Sequence, residues 1–157
     1  MKEQGGFTFI ELMMTLAIMG VLVLVAVPLG QVAVARDKER DLRNALIQIR
    51  DALDAYKRAA DQGRIAVKLG ESGYPKTLDE LVEGVPDQRS PTKQNLYFLR
   101  ALPRDPMARD QAGKPADSWG LRSYASPPDD PRDGEDVFDV HSKSDKMGLN
   151  GVPYRQW

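Results

Sequence analysis

An apolar run near the start of the chain constrains the fold more than any other feature. The run extends from Phe7 to Leu29, 23 residues in which Glu11 is the only ionisable side chain. A helix of roughly 20 apolar residues crosses the hydrocarbon core of a bilayer, so the run is long enough to span one. The alternative is a helix buried in a soluble core. A chain of 157 residues rarely builds a core that can surround so apolar a helix. The run therefore predicts one transmembrane helix.

Glu11 is the unusual residue of this run. A carboxylate inside a membrane costs roughly 2.5–3.5 kcal/mol on insertion scales, and it usually marks a partner or a function. The simpler alternative is a carboxylate near a helix end whose oxygens reach the lipid headgroups. The residues alone leave both interpretations open.

Two glycines, Gly5 and Gly6, stand immediately before the run. A secretory signal peptide places its apolar core before the cleavage site and is discarded with it. Here the small residues come first, so a cut after Gly6 would leave the apolar run on the mature chain. That chain would begin at Phe7 with a free amine and carry Glu11 as its fifth residue. This arrangement resembles the class III signal of type IV pilins and type II secretion pseudopilins.

The resemblance implies a set of roles for these residues. Residues 1–6 would be a leader that a prepilin peptidase removes by cutting after Gly6, and the new terminus at Phe7 would be N-methylated. Glu11 would meet the amine of a neighbouring subunit during filament assembly. Two opposite charges in a medium of low dielectric constant relieve each other's desolvation, so the pairing is chemically reasonable.

The orientation in the membrane also comes from the resemblance. The leader has one basic residue, Lys2, whereas Arg36, Lys38 and Arg40 follow the run among acidic residues. Counting Lys and Arg on the two sides does not favour a cytoplasmic leader. The resemblance nevertheless implies a single pass through the bacterial inner membrane, with the C-terminal domain in the periplasm.

Gly20 and Pro28 interrupt the run. Proline removes a backbone donor and kinks a helix, and glycine lowers helix propensity by about 1 kcal/mol relative to alanine. In the resembled family, the segment between such positions can lose helicity when subunits pack into the filament. Ordinary membrane helices also tolerate both residues, so this pair is a candidate for helix melting without being diagnostic.

An apolar stripe extends the helix beyond the run. Its members recur at spacings of four, three, four, three and four: Leu42, Leu46, Ile49, Leu53, Tyr56 and Ala60. The other face is charged, with Glu39–Arg43 as a favourable pair four residues apart. Asp61-Gln62-Gly63 offers a stop. The predicted divisions are a transmembrane half over 7–29, a periplasmic half over 30–62 and a small domain over 63–157. A coiled coil is the alternative for the stripe.

The small domain is predicted to contain short elements. Nine of the eleven prolines lie between Pro75 and Pro131, a density that forbids long helices. A capping-box pattern predicts a helix over 77–84, and two patterns predict strands over 119–125 and 136–142. Residues 95–102 fit either a strand or a helical turn. The predicted fold class is α+β, a long helix packed on a small antiparallel sheet, as in the type IV pilin-like proteins.

The C-terminal half contains three segments that resemble the major, G-type pseudopilin of type II secretion. They are residues 73–78, residues 102–106 and the ending, residues 138–145 with 150–157. G-type pseudopilins often hold calcium in the loop after the last strand, and this ion takes six to eight oxygen ligands. Asp145 matches one family aspartate, and Asn150 and Ser142 offer further oxygens. Lys146-Met147 departs from the family pattern.

The alternative to a calcium site is a metal-free loop closed by Tyr154 and Trp157. No other cofactor is predicted. The chain has one histidine and no cysteine, and it lacks a nucleophile-elbow or P-loop motif, so no enzymatic activity is predicted. Its 22 basic and 23 acidic residues are balanced, which does not favour nucleic-acid binding.

The predicted function is therefore a structural subunit of a periplasmic pseudopilus that drives protein export by type II secretion. The resemblance implies a homo-oligomeric helical filament, an inner-membrane assembly platform and minor pseudopilins as partners. One alternative is a type IV pilin for adhesion, motility or DNA uptake, although such pilins commonly end in a disulfide-bounded loop. Another is a membrane-anchored periplasmic binding domain.

Overall fold

A computed structural model of the chain describes residues 6–92, 94–109 and 112–157. Residues 1–5 of the predicted leader lie outside the described residues. The chain divides into two compact units, one ending at Asp37 and the other beginning at Lys38.

One long helix dominates the first unit and continues into the second. Helix α1 comprises Phe9–Asp61, 53 residues, so the predicted helix is confirmed to within two residues at each end. In the part of the chain that the structure describes, α1 is the one helix long and apolar enough to cross a membrane, judged by length and composition. None of the described side chains in its most apolar window is buried. Such exposure suits a helix whose surroundings are lipid.

The predicted apolar stripe forms the centre of the core of the second unit. Each of its six residues, from Leu42 to Ala60, is at most 7% exposed. Because the chain's own domain covers the stripe, burial does not require a coiled coil. The helix ends as Gly63 predicts: its φ is +67°, and its N–H donates to the Ala60 carbonyl at 2.8 Å while Arg64 N–H donates to Ala59 at 2.9 Å. This pair of bonds is a Schellman motif, in which glycine adopts the left-handed conformation freely.

Short elements make up the rest of the second unit. In chain order they are α2 (Glu80–Glu83), β1 (Val85–Pro86), β2 (Asn95–Leu96), a 3-10 turn (Ala116–Ser118), β3 (Trp119–Arg122), β4 (Asp139–Ser142) and a second 3-10 turn (Tyr154–Gln156). Strands β1 and β2 pair antiparallel, and so do β3 and β4. The described strands thus form two separate two-stranded sheets, and the α+β prediction is confirmed.

The predicted helix over 77–84 is shorter than expected. Asp79 occupies the N-cap without a side-chain hydrogen bond, so the predicted capping box between Thr77 and Glu80 is wrong. A tertiary contact competes for the carboxylate, because Glu80 accepts a hydrogen bond from the Tyr56 hydroxyl at 3.1 Å. The segment over 95–102 is strand only at its first two residues, because the Phe98 and Leu99 N–H groups donate to the carbonyl of Leu81 in α2.

Strands β3 and β4 are also shorter than predicted, but the predicted alternation of β4 is confirmed. Val140 and Ser142 are fully buried, whereas Asp139 and His141 are half-buried. His141 pairs with Gly120, where an added Cβ would lie 2.2 Å from the imidazole. Glycine at position 120 therefore lets the ring lie across β3.

The Tyr56 hydroxyl predicts an alkaline loss of stability. Burial, and then the Glu80 carboxylate, raise the pKa of Tyr56 well above its usual value. The unfolded chain ionises tyrosine near pH 10, so the stability contributed by Tyr56 is complete below that pH and is lost as the pH rises above it. We expect Tyr56→Phe to flatten the decline in unfolding free energy between about pH 9 and about pH 12, measured by urea titration. Tyr97→Phe, at an exposed tyrosine, is the control; equal flattening there would contradict the assignment.

Candidate functional site

The predicted cleavage junction lies in open, non-helical backbone. Gly6, Phe7 and Thr8 precede the first residue of α1, and Phe7 is 85% exposed. A Cβ added at Gly6 would meet nothing within 4 Å, so the folded chain could accommodate a larger side chain at this position. The bond between Gly6 and Phe7 is thus accessible to an enzyme. Cleavage at Gly6 and methylation of Phe7 stay predictions.

Glu11 takes part in a capping box at the start of α1. The backbone N–H and the hydroxyl of Thr8 both donate to Glu11 Oε2, each at 3.1 Å, and Glu11 N–H approaches Thr8 Oγ1 at 3.3 Å. The box satisfies backbone donors that have no partner within the helix. The positive end of the helix dipole further stabilises a carboxylate in the first turn.

The sequence interpretation missed this role, although a signal for it was present. The spacing Thr8-Phe9-Ile10-Glu11 is the capping-box signature itself. Because the surrounding residues are apolar, the prediction considered the cost of burying Glu11 and not its position at the start of a helix. In the single chain the carboxylate therefore has a local partner, while Glu11 as a whole stays exposed.

The two candidates for helix melting lie inside continuous helix. Gly20 and Pro28 both fall within α1, and Pro28 is the proline inside it. A Cβ added at Gly20 would meet nothing within 4 Å. Loss of helicity on packing concerns the assembled filament, so the melting hypothesis stays a prediction.

Each of the three predicted calcium ligands has a different partner within the protein. Ser142 is fully buried and donates from Oγ to Asp105 Oδ2 at 2.6 Å. Asn150 Oδ1 accepts from Val152 N–H at 3.0 Å, and Asp145 Oδ1 lies 3.4 Å from the Arg155 guanidinium.

Calcium needs six to eight oxygens around one centre. Over the described ranges, no three carboxylate, imidazole or thiol side chains are close enough to hold a metal ion. The residues present do not fit the calcium site that the resemblance implies.

Two buried carboxylates organise the C-terminal half instead. Asp105, in the turn over 102–106, accepts from Met107 N–H at 2.7 Å as well as from Ser142, and so joins the turn to β4. Glu39 was predicted to lie on the charged face of α1 as a partner of Arg43. It is instead only 7% exposed, because Leu149 N–H at 2.6 Å and the Tyr154 hydroxyl at 3.0 Å both donate to its Oε1.

Comparison with known proteins supports the resemblance that the sequence analysis drew from the N-terminal and C-terminal segments. Residues 1–27 match the family model of the prokaryotic N-terminal methylation motif. The chain is 29% identical to type II secretion system core protein G of Vibrio cholerae over 141 residues, 86% of this chain and 88% of that protein. It is 28% identical to core protein G of Dickeya chrysanthemi over 96% of each chain.

The resemblance to the G-type pseudopilins is confirmed. Core protein G of Klebsiella pneumoniae is likewise 29% identical, over 70% of this chain and 74% of that protein. No solved structure gives a significant match. The matched motif and the apolar first half of α1 together indicate a membrane-anchored protein.

Proposed function

We propose that this chain is a structural subunit of the pseudopilus of a type II secretion system. The observation that carries the proposal is a similarity to core protein G that extends along 96% of the chain. It therefore includes both the methylation motif and the small C-terminal domain. A shared N-terminal motif alone would be compatible with many filament proteins, whereas similarity of the domain selects the secretion subunit. The proposed role is mechanical, and no catalytic step is assigned to the chain.

The proposed pathway starts with a precursor in the inner membrane. A prepilin peptidase cuts after Gly6 and methylates the amine of Phe7. Residues 7–29 hold the mature chain in the bilayer, and residues 30–157 lie in the periplasm. The exposed, non-helical backbone at the junction supports this order of events, because a peptidase must bind an extended segment to cut it.

Assembly brings together two charges that are costly in lipid. The apolar first halves of neighbouring α1 helices pack together, and the Glu11 carboxylate meets the Phe7 amine of the next subunit. The capping box with Thr8 satisfies the carboxylate until that partner arrives. Pairing a buried carboxylate with an ammonium lowers the desolvation cost of both groups.

The remaining partners follow from the secretion context. The inner-membrane assembly platform would lift each subunit from the bilayer, and minor pseudopilins would begin the filament. The segment from Gly20 to Pro28 is the part of α1 best suited to lose helicity as the helices pack, since a glycine and the proline of the helix bound it.

Processing is tested by mass spectrometry of the protein purified from cells that contain a prepilin peptidase. We expect a chain that begins at methylated Phe7. Gly6→Leu should stay uncut without loss of folding, because the folded chain has room for a side chain at this position. An intact Met1 terminus on the wild-type protein would refute the proposed processing, as would normal cutting of the Gly6→Leu chain.

The filament role is tested separately, by complementing a strain that lacks its own core protein G. Export of a secreted protein should return with the wild-type chain. Processing without export or filaments would refute the secretion role and leave the cleavage assignment intact.

A further inference from the structure

Two charged residues of α1 bind the C-terminal segment, which we define as residues 139–157. Glu39 accepts from Leu149 N–H and the Tyr154 hydroxyl, as described above. Arg50, three helical turns further along, holds the beginning and the end of the same segment. The two side chains therefore attach β4 and the backbone that follows it to the long helix α1.

The guanidinium of Arg50 donates hydrogen bonds to three oxygens. Its Nε donates to Asp139 Oδ1 at 2.7 Å, and its terminal nitrogen donates to the Val140 carbonyl at 3.2 Å and to the main-chain oxygen of Trp157 at 3.0 Å. Guanidinium is a planar group with five donors and a permanent charge, so it can bind several oxygens in fixed directions. A carboxylate and two main-chain oxygens are also the type of ligand that calcium selects.

A third helical residue strengthens the attachment. The guanidinium carbon of Arg43 lies 4.6 Å from the centre of the Trp157 ring, and Tyr154 packs edge-on against the same ring at 5.2 Å. Glu39, Arg43 and Arg50 are spaced by four and seven residues, which places them on one side of α1.

A second side-chain cation lies at the predicted metal ligand itself. The guanidinium of Arg155 is 3.4 Å from the carboxylate of Asp145, the one acidic residue of the predicted calcium set. A calcium ion bound to Asp145 would have to displace this positive charge or remain beside it. The oxygens of Ser142 and Asn150 each form a hydrogen bond within the protein.

We infer that side-chain cations take the place of the loop calcium in this chain. Arg50 supplies the principal positive charge that closes the C-terminal segment, and the segment folds without a bound metal ion. The inference depends on contacts within one chain, so it can fail or hold independently of the filament role.

The first test is thermal unfolding of the full chain, purified in detergent and stripped with chelator. We expect the same Tm in chelator, in millimolar calcium and in millimolar magnesium. A ligand that binds only the folded state raises Tm once its concentration exceeds its Kd, so a real site would show as a saturable increase. A Tm that rises with calcium and not with magnesium would overturn the inference.

The second test removes the arginine. We expect Arg50→Met to lower the Tm by about 5 °C or more, equally in chelator and in calcium, because several charge-assisted bonds are lost. Arg132→Met is the matched control, since Arg132 is exposed and pairs with Asp130 of its own loop. Arg50→Lys keeps the positive charge but lacks the planar guanidinium, so it should fold with a Tm below that of the wild type. It replaces Arg50→Met in this test if Arg50→Met does not fold. Wild-type Tm in both Arg50 variants, or recovery of either variant by calcium, would overturn the inference.

Discussion

Replacing Glu11 by glutamine should leave the chain in the membrane and abolish filament growth. Glutamine has nearly the shape of glutamate, and its amide oxygen can still accept from Thr8, so the capping box is largely retained. What disappears is the negative charge that the proposed pairing with the Phe7 amine requires. We expect an uncompensated amine to cost several kcal/mol in a low-dielectric filament core, enough to prevent growth. Electron microscopy of shear fractions measures filaments, and membrane fractionation measures insertion.

The Glu11→Gln variant distinguishes two roles that Glu11→Leu would remove together. If Glu11 matters only as a helix cap, Glu11→Gln should form normal filaments while Glu11→Leu does not. Met14→Gln is the matched control, since it places the same amide at an exposed position of the same helix. Normal filaments from both Glu11 variants would refute any assembly role for this residue.

Replacing Glu39 by alanine should destabilise the second unit strongly. The change leaves the buried Tyr154 hydroxyl without its acceptor, at about 1–3 kcal/mol, and it also removes the part-buried hydrogen bond from Leu149 N–H, at about 1 kcal/mol. We expect a total loss of about 2–4 kcal/mol, a large share of the stability of a small domain. The measurement is the urea midpoint of the full chain in detergent, with the m-value checked for constancy.

Two further variants make the Glu39 result specific. Glu39→Gln retains an acceptor oxygen and should lose clearly less stability than Glu39→Ala. Asp41→Ala removes a carboxylate from the exposed side of α1 only two positions away, and it should have little effect. Equal losses at positions 39 and 41 would mean that a general change in helix charge, and not the loss of the acceptor for these two donors, explains the result.

Local patterns predicted the elements that depend on local physics. The apolar run and the stripe from Leu42 to Ala60 predicted α1, because side chains at helical spacing share a face whatever surrounds them. The end at Gly63 was also predictable, since a residue in the left-handed conformation ends a helix through local hydrogen bonds. The alternation of β4 was visible because successive strand residues point to opposite faces.

The errors arose where a polar group found a partner distant in the chain. Glu80 follows Thr77 at capping-box spacing, yet its carboxylate bonds Tyr56 on another element. Asp145, Asn150 and Ser142 are close in sequence, and in the structure each oxygen has its own partner within the protein, so their calcium site stays a prediction.

The amino-acid order alone predicted a helix apolar enough to cross a membrane, the N-terminal methylation motif and the resemblance to secretion pseudopilins, because periodicity and short motifs are properties of neighbouring residues. The tertiary structure decided what closes the C-terminal segment. Glu39 bonds a residue 110 positions away, and Arg50 bonds one 107 positions away. In the sequence, Glu39 and Arg50 look like other charged residues on an exposed face of α1, so their spacing did not reveal these partners. Only when the chain folds back over α1 does Glu39 become buried and Arg50 half-buried, and hydrogen bonding then replaces the water that each group loses.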